Sequence, residues 1–579
     1  MLNKVILIAS LMTTITVQAK NDISLSEAKK ILSEQEYRQY THDIWQKDRR
    51  KAKVTDYSDQ LNNKQGGNTL TAGPGNDCGF PNILTAINFA APGDTIMVAE
   101  GTYSGVEAKL TINKSLSLIG GLDSNCQFIT VNRTNLQLDG FGPVLDIDVS
   151  GGKTVLLSGF DISGAQHENL ADYDGGIYVH GDGTLTIGNT HIHDNQSYFG
   201  GGISVREDAT LNLHENTEIY NNTAISDGGG VFCSTSIINA KDTKIGRFSN
   251  GLIQGNNTTA SDGRGGGISA ISCNVYFGNS QLGSGPVEVS YNHSNNAAIY
   301  ANNSGIIFGE EGSRISFNGD PEPNHAVSTT TIIADQSGIQ LTNVKITDNY
   351  LGNVIKIDNE SSLSMLSTCI KQTKCSEISR NGGTALWIKN SSYAEIQKTH
   401  IDSNSKSPIL VTSSTLPEAL ILSNVVISNN IDENFKVLIA GTSNAHILLN
   451  NVTIANNKNP TVRIFHSGGG GSINFNGGII WNNNASTLIN QSANGIVNIR
   501  DSVIQYNTDG MINTIQADPL FVNAENNDFH IKYDSPARDY FNSSLSIDFE
   551  GDSRPQGLLD DAGADEWTDL IFAHGFEQD

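Results

Sequence analysis

The chain has 579 residues, of which 37% are hydrophobic and only 17% charged, with 36 basic against 61 acidic side chains and a net charge of −25. That balance excludes the basic footprint of a nucleic-acid-binding protein and disfavours anionic partners unless cations bridge them. The length would fill several globular domains, but a solenoid escapes that limit because each coil touches only its neighbours.

Residues 1–19 read as an export signal: Lys4, a mostly apolar run from Val5 to Val17, and small residues up to Ala19. The run is too short to span a bilayer, and no later stretch is long and apolar enough to do so as a helix. The expected location is therefore outside the cell or on its outer surface. Residues 20–75 read as a leader. Leu25, Ala28, Ile31 and Leu32 recur at helical spacing with Ser26 as a cap, and Gly66 to Gly75 read as a linker.

Six cysteines suit an oxidising compartment. By distance along the chain they form the couples Cys78 with Cys126, Cys233 with Cys273, and Cys369 with Cys375. Spacing alone leaves the connectivity open. No couple shows the CxxC spacing of a metal site.

Residues 76–128 open with a short amphipathic helix over Phe80–Ala90, followed by Pro92-Gly93-Asp94-Thr95-Ile96 and Leu116-Ser117-Leu118-Ile119-Gly120-Gly121. This order resembles the N-terminal cap of secreted right-handed parallel β-helix proteins of the pectate-lyase-like superfamily. The resemblance implies a helix over the open end of the first coil and a first strand at the Pro92–Ile96 run.

Residues 129–510 carry one returning phrase, an aliphatic residue followed three later by Asn. It occurs at Ile192/Asn195, Ile219/Asn222, Ile253/Asn256, Val289/Asn292, Ile315/Asn318, Ile346/Asn349, Ile378/Asn381, Ile401/Asn404, Ile427/Asn430, Ile454/Asn457, Ile480/Asn483 and Ile504/Asn507. From Ile192 to Ile504 there are eleven steps, so the period is about 28 residues, in the range of solenoids. Alternation before each phrase puts every second side chain on one face, and the apolar stretches are too short for helices. Asn tolerates a left-handed backbone and bonds its own turn. Short strands joined by Asn bends make a parallel β-helix, with coils stacked about 4.8 Å apart. Equivalent Ile residues then form an interior column and equivalent Asn residues a ladder. The expected fold class is all-β: a right-handed, single-stranded parallel β-helix with a short N-terminal helical cap and a C-terminal closing segment.

Gly175-Gly176-Ile177, Gly200-Gly201-Gly202-Ile203, Gly228-Gly229-Gly230-Val231 and Gly265-Gly266-Gly267-Ile268 alternate with these phrases. The alternation resembles, in architecture, the repeats of the polymorphic outer membrane proteins of chlamydiae. No Lys-Ser/Thr follows the glycines, which excludes a phosphate cradle.

In residues 511–566 the segments Ala517–Phe521, Asp528–Lys532, Ser535–Asp539, Asp548–Pro555 and Asp561–Glu566 follow one another. Their order resembles the closing segment of secreted bacterial β-helix proteins of the choice-of-anchor type, with Arg538 where those have an aliphatic residue. Residues 567–579 resemble a short tail of exported proteobacterial proteins.

The densest ionisable stretch holds Asp172, Asp174, His191, His193 and Asp194. By the coil period its two halves could sit on adjacent turns, where they could hold a metal such as Ca²⁺ or form an acid–base pair. The Arg or Lys of lyase chemistry is missing there, as are the Asn-Thr-Asp and Gly-His-Gly signatures of polygalacturonase-like hydrolases. The favoured expectation is a monomeric, non-enzymatic surface protein that contacts a polysaccharide or cell-surface ligand, with no cofactor and no metal assigned. The alternative is a polysaccharide lyase or glycosidase working through the 172–194 face.

Overall fold

The computed structural model describes residues 67–568, except 167–174, 251, 279–281, 283–284, 320–329, 351, 369–375, 413, 415, 432–436 and 459–462. The signal, the leader helix, Asp172, Asp174, Cys369, Cys375 and the last eleven residues of the tail lie outside the described residues.

The chain winds as a parallel β-solenoid with three faces. Sheet A runs from Thr69–Ala72 to Ile496–Arg500 in sixteen strands, sheet B from Gly101–Ser104 to Ile515–Gln516 in sixteen, and sheet C from Leu110–Ile112 to Thr487–Gln491 in fourteen. Each coil visits A, then B, then C. Leu420–Ser423, Val426–Ser428 and Val437–Thr442 make one such turn before His446–Asn450 starts the next.

The inner column of sheet B follows the repeating phrase. Ile162, Ile192, Ile219, Ile245, Val289, Ile315, Ile346, Ile378, Ile401, Ile427, Ile454, Ile480 and Ile504 pair in sequence and are buried. Burying each such side chain contributes about 1.5–3 kcal/mol.

Ile253 is not in that column. It lies on an antiparallel hairpin, Arg247–Ser249 with Leu252–Gln254, and is 47% exposed, while Ile245 takes the inner place. The hairpin interrupts the coil between the inward aliphatic residue and its asparagine, so a second apolar residue happens to fall three before Asn256.

The ladder contains eleven of the twelve expected asparagines, from Asn195 to Asn483. In each of its ten steps the backbone N and Nδ2 of one Asn both donate to Oδ1 of the next. Nδ2 also donates to a backbone carbonyl one coil back, as Asn430 does to Ile401 at 3.0 Å. The expected twelfth member, Asn507, is exposed, and Gln505 accepts from the Asn483 backbone at 2.9 Å instead. The left-handed bend is made by the residue before the ladder position: Asn221, Arg380 and Asn429 have φ of 53°, 54° and 52°. That bend turns the chain and aims the following Asn inward.

A second ladder follows the turn from C to A. The backbone N–H groups of Ser236, Cys273, Ser304, Ser337 and Ser361 donate to the side chains of Cys273, Ser304, Ser337, Ser361 and Ser392 in turn. Two disulfides, Cys78–Cys126 and Cys233–Cys273, join the expected couples.

At the N-terminal end, helix α1 (Ile83–Phe89) buries Ile83, Ala86 and Ile87 under the first coil. Asn82 caps it by accepting from Thr85 N at 2.8 Å, and Lys114 Nζ donates to the terminal carbonyls of Ile87 and Ala90. The first strand of sheet A is not the Pro92–Ile96 run. It is Thr69–Ala72, inside the segment read as linker, paired parallel with Thr95–Ala99. Four alternating residues suffice as a strand because the next coil supplies the ladder of hydrogen bonds.

The closing segment lies along the outside of sheet B. Phe521, Phe529, Ile531, Ala537, Ala562 and Ala564 pack on Val426, Ala455, Ile479 and Val503. The turn asparagines flanking that strip hold it: Asn424 Nδ2 donates to Ile547 O at 2.7 Å, and Asn456 Nδ2 to Ala524 O at 2.6 Å. Inside the segment Arg554 and Glu566 form a buried pair at 2.6 Å. The Arg538 guanidinium sits 4.3 Å and 4.4 Å from the Tyr533 and Trp567 ring centres, where the resembled segments place an aliphatic residue.

Candidate functional site: the outer face of sheet B

Because Ile192 points inward, His191 and His193, the residues before and after it, both point outward on the same face. The outer row through His191 reads, coil by coil, Asp161, His191, Glu218, Lys244, Glu288, Arg314, Lys345, Glu377 and His400. From Val426 onward the same row is mainly apolar, and there the closing segment covers it. One face thus divides into an ionic half, closed only at its end where Glu377 and His400 are buried and His400 meets Phe549, and a covered apolar half.

At the open end His191 Nδ1 lies 3.0 Å from Asp161 Oδ1 and its Nε2 lies 3.6 Å from Glu218 Oε2. His193 Nδ1 contacts Asp194 Oδ2 at 2.6 Å, with Nε2 4.0 Å from Asp161. The His193 ring stacks on Tyr220 with centres 4.9 Å apart and planes 6° from parallel. Arg247, from the hairpin, covers the other part of this group. Its guanidinium lies 3.4 Å from the Tyr220 ring centre and pairs with Glu218. The structure therefore brings His191, His193 and Asp194 together. Asp172 and Asp174 fall outside the described residues. Asp161, Glu218, Tyr220 and Arg247 are the members that sequence reasoning missed, although register from Ile162, Ile219 and Ile245 gives the strand positions of the first three.

The electrostatics oppose acid catalysis. Burial pushes Asp161 up, but the hydrogen bond and charge of His191, with Arg133 and His193, outweigh it and hold the carboxyl below its usual range. Glu218 is also lowered: burial is outweighed by Arg247, His191 and Lys244. Asp194 is lowered chiefly by its hydrogen bond with His193. Burial pushes Tyr220 up to about 12. A glycosidase needs one carboxyl raised so that it can donate a proton near neutrality. These three carboxylates are all kept ionised.

The face continues as an aromatic column. Phe248, 57% exposed at the hairpin, lies 5.9 Å from Tyr291, and Tyr291 stacks on Phe317 at 5.1 Å with planes 5° apart. Tyr291 and Phe317 occupy the left-handed position before the ladder Asn, with φ of 60° and 54°. Asp194, Asn221, Asp348, Arg380, Ser403, Asn429, Asn456 and Asn482 fill that position elsewhere. Left-handed backbone costs a residue with a Cβ about 1–2 kcal/mol, and Asn and Asp are the usual exceptions. The turn has no need of a ring, so two bulky rings there point to a use at the surface.

Among the described residues, the donors that converge closely enough to share an ion are His530, Glu550 and Asp565 in the closing segment, not the sheet B histidines. Also among the described residues, no helix is long and apolar enough to cross a membrane.

No family model matches the chain, and no curated protein matches it. Among solved structures, pectate lyase Pel9A aligns over 88% of this chain and 98% of its own, at 12% identity and a TM-score of 0.27. Tailspike protein 3 of bacteriophage CBA120 aligns over 76% of this chain and 62% of its own, at 8% identity and a TM-score of 0.27.

Proposed function

We propose that this is an exported β-solenoid, acting outside the cell or on its surface, that holds a polysaccharide against the outer face of sheet B without cleaving it. The carrying observation is the column Phe248–Tyr291–Phe317, exposed at Phe248 and half-buried at the other two, whose rings lie 5.9 Å and 5.1 Å apart along the coil axis. Ring edges repeating at coil spacing offer an apolar strip, and the ionic row beside them supplies donors and acceptors for hydroxyl groups. The net charge of −25 favours neutral over uronate glycans. Two disulfides fit an oxidising exterior.

The test is calorimetric titration of the mature protein with neutral and uronate oligosaccharides, with unsaturated and reducing ends assayed in parallel. Binding that drops about tenfold in Tyr291→Ala or Phe317→Ala, without new chain ends, is the expected result; a tenfold change is about 1.4 kcal/mol, within the range of one ring contact. Product formation that disappears in His193→Ala would establish the enzymatic alternative instead.

A further inference from the structure

We propose that the closing segment holds one divalent cation of N/O preference, Zn²⁺ or Mn²⁺ in type, ligated by His530 Nε2, Glu550 and Asp565. The three come from separate pieces of the segment: the Phe521–Asn523/Asp528–Ile531 hairpin, the turn after Asp548, and the stretch before Trp567. Their ligand atoms lie within 4.8 Å of one another. His530 Nε2 is 3.4 Å from Glu550 Oε1 and 3.8 Å from Asp565 Oδ2. Ligands about 2.0–2.2 Å from a tetrahedral ion stand roughly 3.3 Å apart, so only a small inward adjustment is needed.

Three further features fit an ion and not merely a charged surface. First, His530 Nδ1 is bonded to Asp528 Oδ1 at 2.5 Å. This is the outer carboxylate that fixes the tautomer of a metal-bound imidazole and leaves Nε2 free to ligate. Second, Asp565 Oδ2 is sealed from solvent with no donor of its own and lies 3.8 Å from His530 Nε2, while the Asp565 carboxyl also sits against that of Asp548. Third, the Asp548 carboxylate accepts from the N–H groups of Gly551 and Asp552 at 2.8 Å each and of Glu566 at 3.0 Å, which shapes the turn that presents Glu550. His530 and Glu550 are 49% and 25% exposed, so an ion can enter and keep a water ligand. Lys398 supplies a further positive charge, toward Asp548, Asp552 and Glu550. An ion here would tie three parts of the segment together and fasten it as a unit.

The experiment uses the whole mature protein, stripped with chelator and dialysed against Zn²⁺ or Mn²⁺. Retained metal is measured by atomic emission after gel filtration, and melting by scanning fluorimetry. Wild type should keep one equivalent and melt several degrees higher than in chelator. His530→Ala and Asp565→Asn should lose both effects, and Asp528→Asn should weaken retention about 10–100-fold. Glu525→Gln, an exposed carboxylate on the same segment, should behave as wild type. Glu550→Gln, on a partly exposed turn, carries the test if His530→Ala or Asp565→Asn fails to fold. No retention by wild type, or undiminished retention by Glu550→Gln together with the folded variants, overturns the proposal.

Discussion

Asn430 and Asn429 are neighbours of one residue type, yet they should respond to alanine very differently. Oδ1 of Asn430 accepts the backbone N–H and the amide N–H of Asn404, each at 3.0 Å, and its Nδ2 donates to Ile401 O and Asn457 Oδ1, also at 3.0 Å. Asn430→Ala leaves two buried donors of Asn404 without acceptors. Each stranded donor costs about 1–3 kcal/mol, so the expected loss is about 2–6 kcal/mol. Asn429 lies outside the ladder and bonds Asp402 at 2.8 Å and Asn527 at 2.6 Å near the surface. Asn429→Ala loses those bonds and puts Ala at φ +52°, which costs about 1–2 kcal/mol for the backbone and about 0.5–1.5 for each bond, but it strands no donor of the ladder. A solenoid loosens locally rather than all at once, so a global melting point would understate the contrast. Hydrogen exchange read by mass spectrometry over residues 395–460 is the suitable assay. Asn430→Ala should accelerate exchange of the amides on both adjoining coils about thirtyfold or more. Asn429→Ala should act mainly on the contact with Asn527. Equal acceleration by the two variants would refute the ladder as the source of coil-to-coil cohesion.

The serine column and the closing segment give two further expectations. Cys273 serves both a disulfide and the second ladder, its Sγ accepting from Ser236 N at 3.4 Å. Cys233→Ala/Cys273→Ser should therefore be more stable than Cys233→Ala/Cys273→Ala by about 1 kcal/mol in denaturant titrations, although both lose the same crosslink; equality would remove the column from the stability argument. Burial is the leading cause raising Asp548, Asp561, Asp565 and Glu566, with Glu566 pushed up to about 7. A carboxyl raised in the folded state stabilises it fully below the unfolded value and loses that contribution as pH climbs through the raised one. For Glu566 the window runs from 4.5 to about 7 and is worth about 3 kcal/mol. His530, raised to about 10, acts in the same direction over the range above its ordinary value of 6.5. Proteolysis of the closing segment should accelerate between about pH 5 and 8 in chelator; protection that rises with pH would contradict this.

The inner parts of the fold were legible because they repeat. A register that places Ile401, Ile427 and Ile454 at one spacing has little freedom left, and the asparagines three residues on inherit it. The left-handed bends could not be assigned to single residues because the constraint there is on φ, which Tyr291, Phe317 and Arg380 also adopt, at a cost that Asn avoids. The serine ladder was hidden because Ser recurs throughout the chain at many spacings. The outer partners were least legible. His191 meets Asp161 and Glu218 only through stacking of coils about thirty residues apart, and Asn424 meets Ile547 across 123 positions. Pairing on an outer row follows from register, but nothing in a single strand announces it.

The hairpin joins these two levels of order. Twenty-six residues separate Ile219 from Ile245, and twenty-six separate Val289 from Ile315, but forty-four lie between Ile245 and Val289. Extra chain cannot enter a strand without shifting the inward side chains to the outer face, so it enters at turns. Residues 247–254 form such an insert, and they carry both Arg247, which covers Tyr220, and Phe248, which begins the aromatic column. Deleting them joins Gly246 to Gly255 and leaves Asn256 three residues after Ile245, the same spacing as Ile219 to Asn222. The shortened chain should thus keep its ladder, with Asn222 still donating to Asn256 Oδ1 and Asn256 to Asn292 Oδ1. Its melting should stay close to wild type, while affinity for a neutral glycan falls by more than the single-ring variants lose. Calorimetry and scanning fluorimetry on the same sample separate the two effects. A deletion that melts far below wild type would mean that the hairpin is part of the scaffold. One that keeps full affinity would mean that Arg247 and Phe248 do not line the glycan track.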